Sequence, residues 1–90
     1  MMTIEELKNK VKNNLPAVSK GFNLCFGYRS DHPNTIGIFE ENDVYYIYDV
    51  SPNGEYSVRD HGTEDEMARI FYKMLCKMEN FVFINKVESM

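Results

Sequence analysis

The chain has 90 residues, 43% of them hydrophobic and 27% charged, with a net charge of −4 and a pI near 5.1. That length makes one domain, residues 1–90, with one small core and no deep substrate cavity, and the composition argues against disorder. The acidic balance argues against nucleic acid as a partner. No apolar run approaches the ~20 residues of a membrane span, and the N-terminus does not read as a signal peptide, so a cytoplasmic protein without membrane association is expected.

Thr3 followed by Glu6 is a capping-box signature. Ile4, Leu7, Val11 and Leu15 then recur at helical spacing, and Pro16 predicts a stop near Asn13 or Asn14. Ala17 to Gly21 reads as a connector. From Phe22 the period changes to two: Phe22, Leu24, Phe26 and Tyr28 share one face, with Cys25 on the other, where it could be exposed. Ser30 to Asn34 is dense in turn formers. Thr35 to Glu40 and Val44 to Val50 read as strands closed by Glu41-Asn42-Asp43, and Ser51-Pro52-Asn53-Gly54 as the next hairpin turn. Glu55 to His61 is a fourth strand, with Tyr56 and Val58 inward. Thr63 and Glu66 form a second capping box, followed by a stripe of Met67, Ile70, Phe71, Met74, Leu75 and Met78 in a helix expected to reach Asn80. Phe81-Val82-Phe83-Ile84 is β-prone enough to add a short C-terminal edge strand, and Asn85 to Met90 is expected to fray. The expected fold is α+β: an N-terminal helix, a four-stranded antiparallel meander, and a C-terminal helix packed on one sheet face.

Charge is segregated along this order. Glu40 to Glu66 holds nine acidic residues and one basic, Arg59, while the segments Met1 to Arg29 and Met67 to Met90 are net basic. Four of the six tyrosines lie in the same acidic stretch. Tyrosine supplies contact area at low side-chain entropy cost, and carboxylates attract basic partners, so this surface reads as a docking face for a protein. The residues assigned to it are Glu40, Glu41, Asp43, Tyr45, Tyr48, Asp49 and Glu55, with Tyr45 on the strand face opposite Tyr46 and Tyr48.

No catalytic motif competes with that reading. Asp31-His32 and Asp60-His61 could share a metal or act as an acid–base pair if the first and fourth strands were neighbours. Both pairs fall at turns or strand ends, where Asp and His serve local hydrogen bonding, and their spacing fits no ligand set. Neither metal, cofactor nor enzymatic activity is expected. Cys25 and Cys76 lack C-x-x-C spacing and read as reduced, structural thiols.

The run from Thr35 to Tyr48, with its Gly37-Ile38-Phe39-Glu40-Glu41 and Tyr45-Tyr46-Ile47-Tyr48 segments, is followed by Asn53-Gly54 and by Thr63-Glu64-Asp65-Glu66-Met67-Ala68. It resembles the hairpin and acid-capped helix of small immunity proteins of bacterial polymorphic toxin systems. The resemblance covers about the central half of the chain. It implies a cytosolic antidote that binds and neutralises a cognate toxin domain. A basic substrate groove on such a toxin would be met by acidic side chains that mimic phosphate charge, with Tyr45 and Tyr48 as buried anchors. The alternative reading is a small homodimeric structural or regulatory adaptor, joined through a strand edge or the Phe81 to Ile84 tail.

Overall fold

Both expected capping boxes form in the computed structural model, which describes residues 1–14, 22–77 and 81–83. The Thr3 hydroxyl accepts the Glu6 amide at 3.1 Å while the Glu6 carboxylate accepts the Thr3 amide at 3.2 Å, opening helix α1, Ile4–Asn14. Thr63 and Glu66 repeat the exchange at 3.2 and 3.1 Å and open α2, Glu64–Lys77. The two N-termini meet. Ile4 donates its amide to Glu64 at 2.9 Å, and Met2 donates to Asp65 at 2.7 Å. Further along, the Lys10 ammonium lies 4.8 Å from the Tyr72 ring centre, so the helices run side by side in the same direction. Leu15, the connector Ala17 to Gly21, Met78 to Asn80, Ile84 and the tail Asn85 to Met90 lie outside the described residues.

The Met2 amide, and after it the Arg69 guanidinium at 2.8 Å, hold the Asp65 carboxyl below its ordinary value of 3.8. A depressed carboxylate pKa means that this tie is intact above the ordinary range and lost as pH falls through the lowered value. The Met2 amide resonance is therefore expected to titrate with a midpoint below 3.8. In Asp65→Ala that titration should vanish; a midpoint at or above the ordinary value would contradict the contact.

Five strands make one sheet: β1 Phe22–Phe26, β2 Thr35–Glu41, β3 Val44–Val50, β4 Tyr56–Gly62 and β5 Phe81–Phe83, in the order β4-β3-β2-β1-β5. The meander holds from β2 to β4, which are antiparallel. The first link does not. β1 runs parallel to β2, with Asn23 opposite Thr35, and β5 joins the other side of β1, also parallel. Parallel neighbours usually need a crossover of a dozen residues or more, so the turn formers Ser30 to Asn34 read from sequence as the turn between antiparallel strands; the link itself is residues 27–34. Here the segment doubles back. It starts at Gly27, with φ of 98°, and ends at Asn34, with φ of 59°. Eight residues can extend about 26 Å, enough to retrace a five-residue strand of about 17 Å.

The turns follow from local chemistry. Glu41 pairs with Val44, which leaves a two-residue loop of Asn42 and Asp43 with φ of 54° and 67°. Left-handed conformation at both positions is the type I′ turn that matches strand twist, and Asn and Asp tolerate it. Between β3 and β4, Gly54 donates to the Ser51 carbonyl and Ser51 donates to the Glu55 carbonyl, each at 2.9 Å. With Gly54 at φ of 87°, this is a three-residue loop: a type I turn with Pro52 at its first central position, closed by a left-handed glycine.

The main core lies between the helices and one sheet face. Leu7 and Val11 of α1 and Met67, Ala68, Phe71 and Leu75 of α2 pack on Leu24, Phe26, Ile36, Ile38 and Ile47. Phe26 and Phe71 meet edge to face at 5.7 Å, a geometry worth about 0.5–1.5 kcal/mol beyond burial itself. A second cluster on the opposite face joins Phe39, Tyr48 and Val50 with Tyr46 and Tyr56. The crossover loop covers part of it: the Tyr48 hydroxyl donates to the Tyr28 carbonyl at 2.9 Å and accepts the Ser30 amide at 2.7 Å. Arg29 lies 3.9 Å from the Tyr56 ring centre.

Two expected exposures reverse. Cys25 is fully buried, and its thiol donates to the Tyr28 carbonyl at 3.0 Å, because the crossover loop folds over the face it occupies. Val58, read as inward, is 46% exposed, because β4 is the outermost strand and Val58 shares the face that carries no helix.

Candidate protein-binding surface

The seven side chains assigned to a docking face do not form one surface. The ladder splits them. Glu40 pairs with Tyr45, and Glu41 with Val44, around the Asn42-Asp43 turn, so Glu40, Glu41, Asp43 and Tyr45 share one end of the sheet. Glu55 closes the β3–β4 turn at the opposite end. Asp49 is half-buried and bound by the Arg59 guanidinium, which reaches it diagonally from β4. An ion pair in place leaves that carboxylate little free charge to offer a partner.

Tyr48 is a correction. It is completely buried, its ring folds across Gly37, and its hydroxyl is committed to the crossover loop. Burial, with the Cys25 thiol alongside, pushes its phenol well above the ordinary range. Tyr48 is a structural residue and not a surface anchor. Strand alternation alone could not separate it from Tyr46, because both occupy the same face; the covering loop decides between them.

Tyr45 is different. It lies on the helix side of β3, half-buried against the main core, between Glu40 on β2 and Gly62 on β4. Burial raises its phenol, and the charges of Glu64, Glu40 and Asp43 raise it further. Three carboxylates, from β2, the β2–β3 turn and α2, thus bear on one aromatic ring. Glu64 sits at the acidic start of α2, where an acid suits the helix end; in the fold it holds the Ile4 amide, and it follows closely on Gly62, the partner of Tyr45. The signal that could have found it is strand length: a β4 ending at Gly62, opposite Tyr45, delivers the start of α2 beside the tip of the acidic hairpin.

The hairpin tip is ordered by its own charge, since Glu40 accepts the Asp43 amide at 2.7 Å. A groove of about 400 Å³ lies between β4 and α2, lined by Asp60, His61, Glu66, Met67 and Ile70. His61 stacks on Tyr46 with ring centres 6.0 Å apart.

The two Asp-His pairs do not meet. β2 and β3 separate β1 from β4. Asp31-His32 precedes Thr35, which pairs with Val50, whereas Asp60 and His61 pair with Ile47 and Tyr46 toward the other end. Asp60 accepts the His61 amide at 2.8 Å, a local contact. Among the described residues no group of three or more His, Cys, Asp or Glu side chains is placed to hold a metal ion. Both cysteines are free; Cys76 is exposed, and burial pushes the Cys25 thiol up, disfavouring the thiolate a nucleophile needs.

No protein-family model matches the chain, and no characterised protein or solved structure matches it either. The likeness to immunity proteins therefore stands on the hairpin sequence, and the surface has to be read on its own geometry.

Proposed function

We propose that this chain is a non-enzymatic binding protein of the immunity type, which neutralises a toxin domain by docking the acidic end of its sheet onto a basic surface. The observation that carries the reading is Tyr45 set opposite Glu40 in the ladder, with Glu41 and Asp43 on the same hairpin and Glu64 just beyond Gly62, the partner of Tyr45 on β4. Complementary charge speeds encounter and rejects wrong partners more than it adds affinity, and an antidote needs speed. A half-buried aromatic ringed by carboxylates offers the partner's Lys or Arg both a charge and a flat contact.

The test is kinetic. Glu40→Lys and Glu41→Lys reverse two charges, and Asp43→Asn neutralises the third; asparagine keeps the left-handed φ of 67° that lysine would strain. The fold should survive, because exposed turn charges contribute at most about 1 kcal/mol each. Against a toxin fragment recovered with the wild-type chain from its source cell, association should slow about tenfold or more at low salt, with the effect shrinking as ionic strength rises. An unchanged association rate at low salt would mean the acidic end is only a solvated surface.

A further inference from the structure

We propose that the outer edge of β4 pairs with the same edge of a second copy, antiparallel and centred on Ser57, to make a two-fold dimer with a continuous sheet. β4 is the last strand of the order, and among the described residues its seven, Tyr56–Gly62, have a strand neighbour on one side only. Apart from Met1, Val58 is the one large hydrophobic residue exposed among the described residues, and it lies on this edge.

The register follows from the backbone. Antiparallel pairs alternate between hydrogen-bonded and non-hydrogen-bonded. Ser51 donates to Glu55, so that pair is of the bonded kind. In the same ladder Val50 opposes Tyr56, Asp49 opposes Ser57 and Tyr48 opposes Val58. Alternation makes Asp49 and Ser57 the next bonded pair, and it turns the amides and carbonyls of Tyr56 and Val58 away from β3. Those are the groups free to meet another strand. A two-fold axis at Ser57 sets Tyr56 of each copy opposite Val58 of the other. Both pairs are then hydrogen-bonded and exchange both bonds, and each is an aromatic–β-branched contact, a favourable cross-strand combination.

The same axis sets Glu55 opposite the second copy's Arg59, twice. Both side chains are exposed, and the Arg59 guanidinium, which binds Asp49 through Nε, has further N–H donors for a second carboxylate. Axes at Tyr56 or at Val58 lose this charge match and stack like on like. The register shift between Ile47 and Tyr48 bulges β4 at Arg59 and ends the pairing there, as edge strands commonly limit their own growth. Because the paired strands run antiparallel, the two acidic ends lie at opposite extremes of the dimer. Self-association can therefore be measured on the chain alone, and its outcome is independent of the toxin-binding reading.

The experiment is sedimentation of the full chain from about 10 μM to about 1 mM, a range that brackets weak interfaces. A concentration-dependent monomer–dimer equilibrium is expected. Val58→Pro removes an outward amide that the β3–β4 ladder does not use, which an edge strand tolerates, and should raise the dimer dissociation constant at least about tenfold. A second measurement holds even if that variant fails to fold. In a Cys76→Ser background, Ser57→Cys places two thiols at a non-hydrogen-bonded pair about 4.5 Å apart between Cα atoms, and diamide should join them rapidly into a disulfide dimer. Asn53→Cys at the turn is the control and should cross-link slowly. A chain that stays monomeric throughout, or a dimer in which Ser57→Cys cross-links no faster than Asn53→Cys, overturns the proposal.

Discussion

Tyr48→Ala is expected to lower the unfolding free energy by about 3–5 kcal/mol, the range for deleting a fully buried aromatic side chain. Its ring is completely buried, within 5.5 Å of both Phe39 and Tyr56 by ring centres, and its hydroxyl joins β3 to a loop that begins two strands away. Tyr48→Phe separates the two contributions. It keeps the ring but leaves the Ser30 amide without its acceptor and the Tyr28 carbonyl short of one donor, with the Cys25 thiol still in place. An unsatisfied buried amide costs about 1–3 kcal/mol, so the phenylalanine variant should lose roughly that much. Tyr46→Phe, on the same face but half-buried, should stay within about 0.5 kcal/mol of wild type. Urea unfolding of the three variants checks the order. A Tyr48→Phe variant as stable as the parent would mean that the hydroxyl does not hold the crossover.

This one side chain marks where sequence reasoning ended. Period and capping carry information about neighbours three or four residues apart, which is why both capping boxes and the stripe of Met67, Phe71 and Leu75 could be read directly. Strand direction is a long-range property. Residues 27–34 contain the Asp, Pro and Asn of a hairpin turn, and nothing local distinguishes a chain that turns beside β1 from one that retraces it. What distinguishes them is a phenol contributed by β3, 20 residues beyond the Tyr28 carbonyl it holds. The same loop buries Cys25 and removes Tyr48 from the accessible surface, so both misreadings share one cause. The candidate surface was legible in part for a related reason. Glu40, Glu41, Asp43 and Tyr45 are local to one hairpin and stayed together. Asp49 and Glu55 were grouped with them by sequence proximity, which strands running the length of a sheet do not preserve. Glu64 joined them only through the tertiary placement of α2.

Gly37→Ala is expected to be as informative as any change to the tyrosine itself. Gly37 lies directly opposite Tyr48 in the ladder, and a Cβ built there would come within 2.5 Å of Cε1, Cζ and Oη of that ring. Those atoms belong to a rigid ring held at its far end by two hydrogen bonds, so it has no easy way to yield. Overpacking of this kind typically costs about 1–3 kcal/mol. The identity of the clashing atoms fixes what can relieve it. Tyr48→Phe removes Oη but keeps Cε1 and Cζ, so Gly37→Ala should remain about as costly in that background. Tyr48→Leu removes all three distal atoms. In that background the three atoms nearest the new Cβ are gone, and alanine gains about 0.5–1 kcal/mol over glycine from the smaller entropy lost on folding. The leucine cycle should therefore show a coupling of about 1.5–4 kcal/mol, and the phenylalanine cycle close to none. Additive effects with leucine would place the ring elsewhere, and with it the pin that holds β1 parallel to β2.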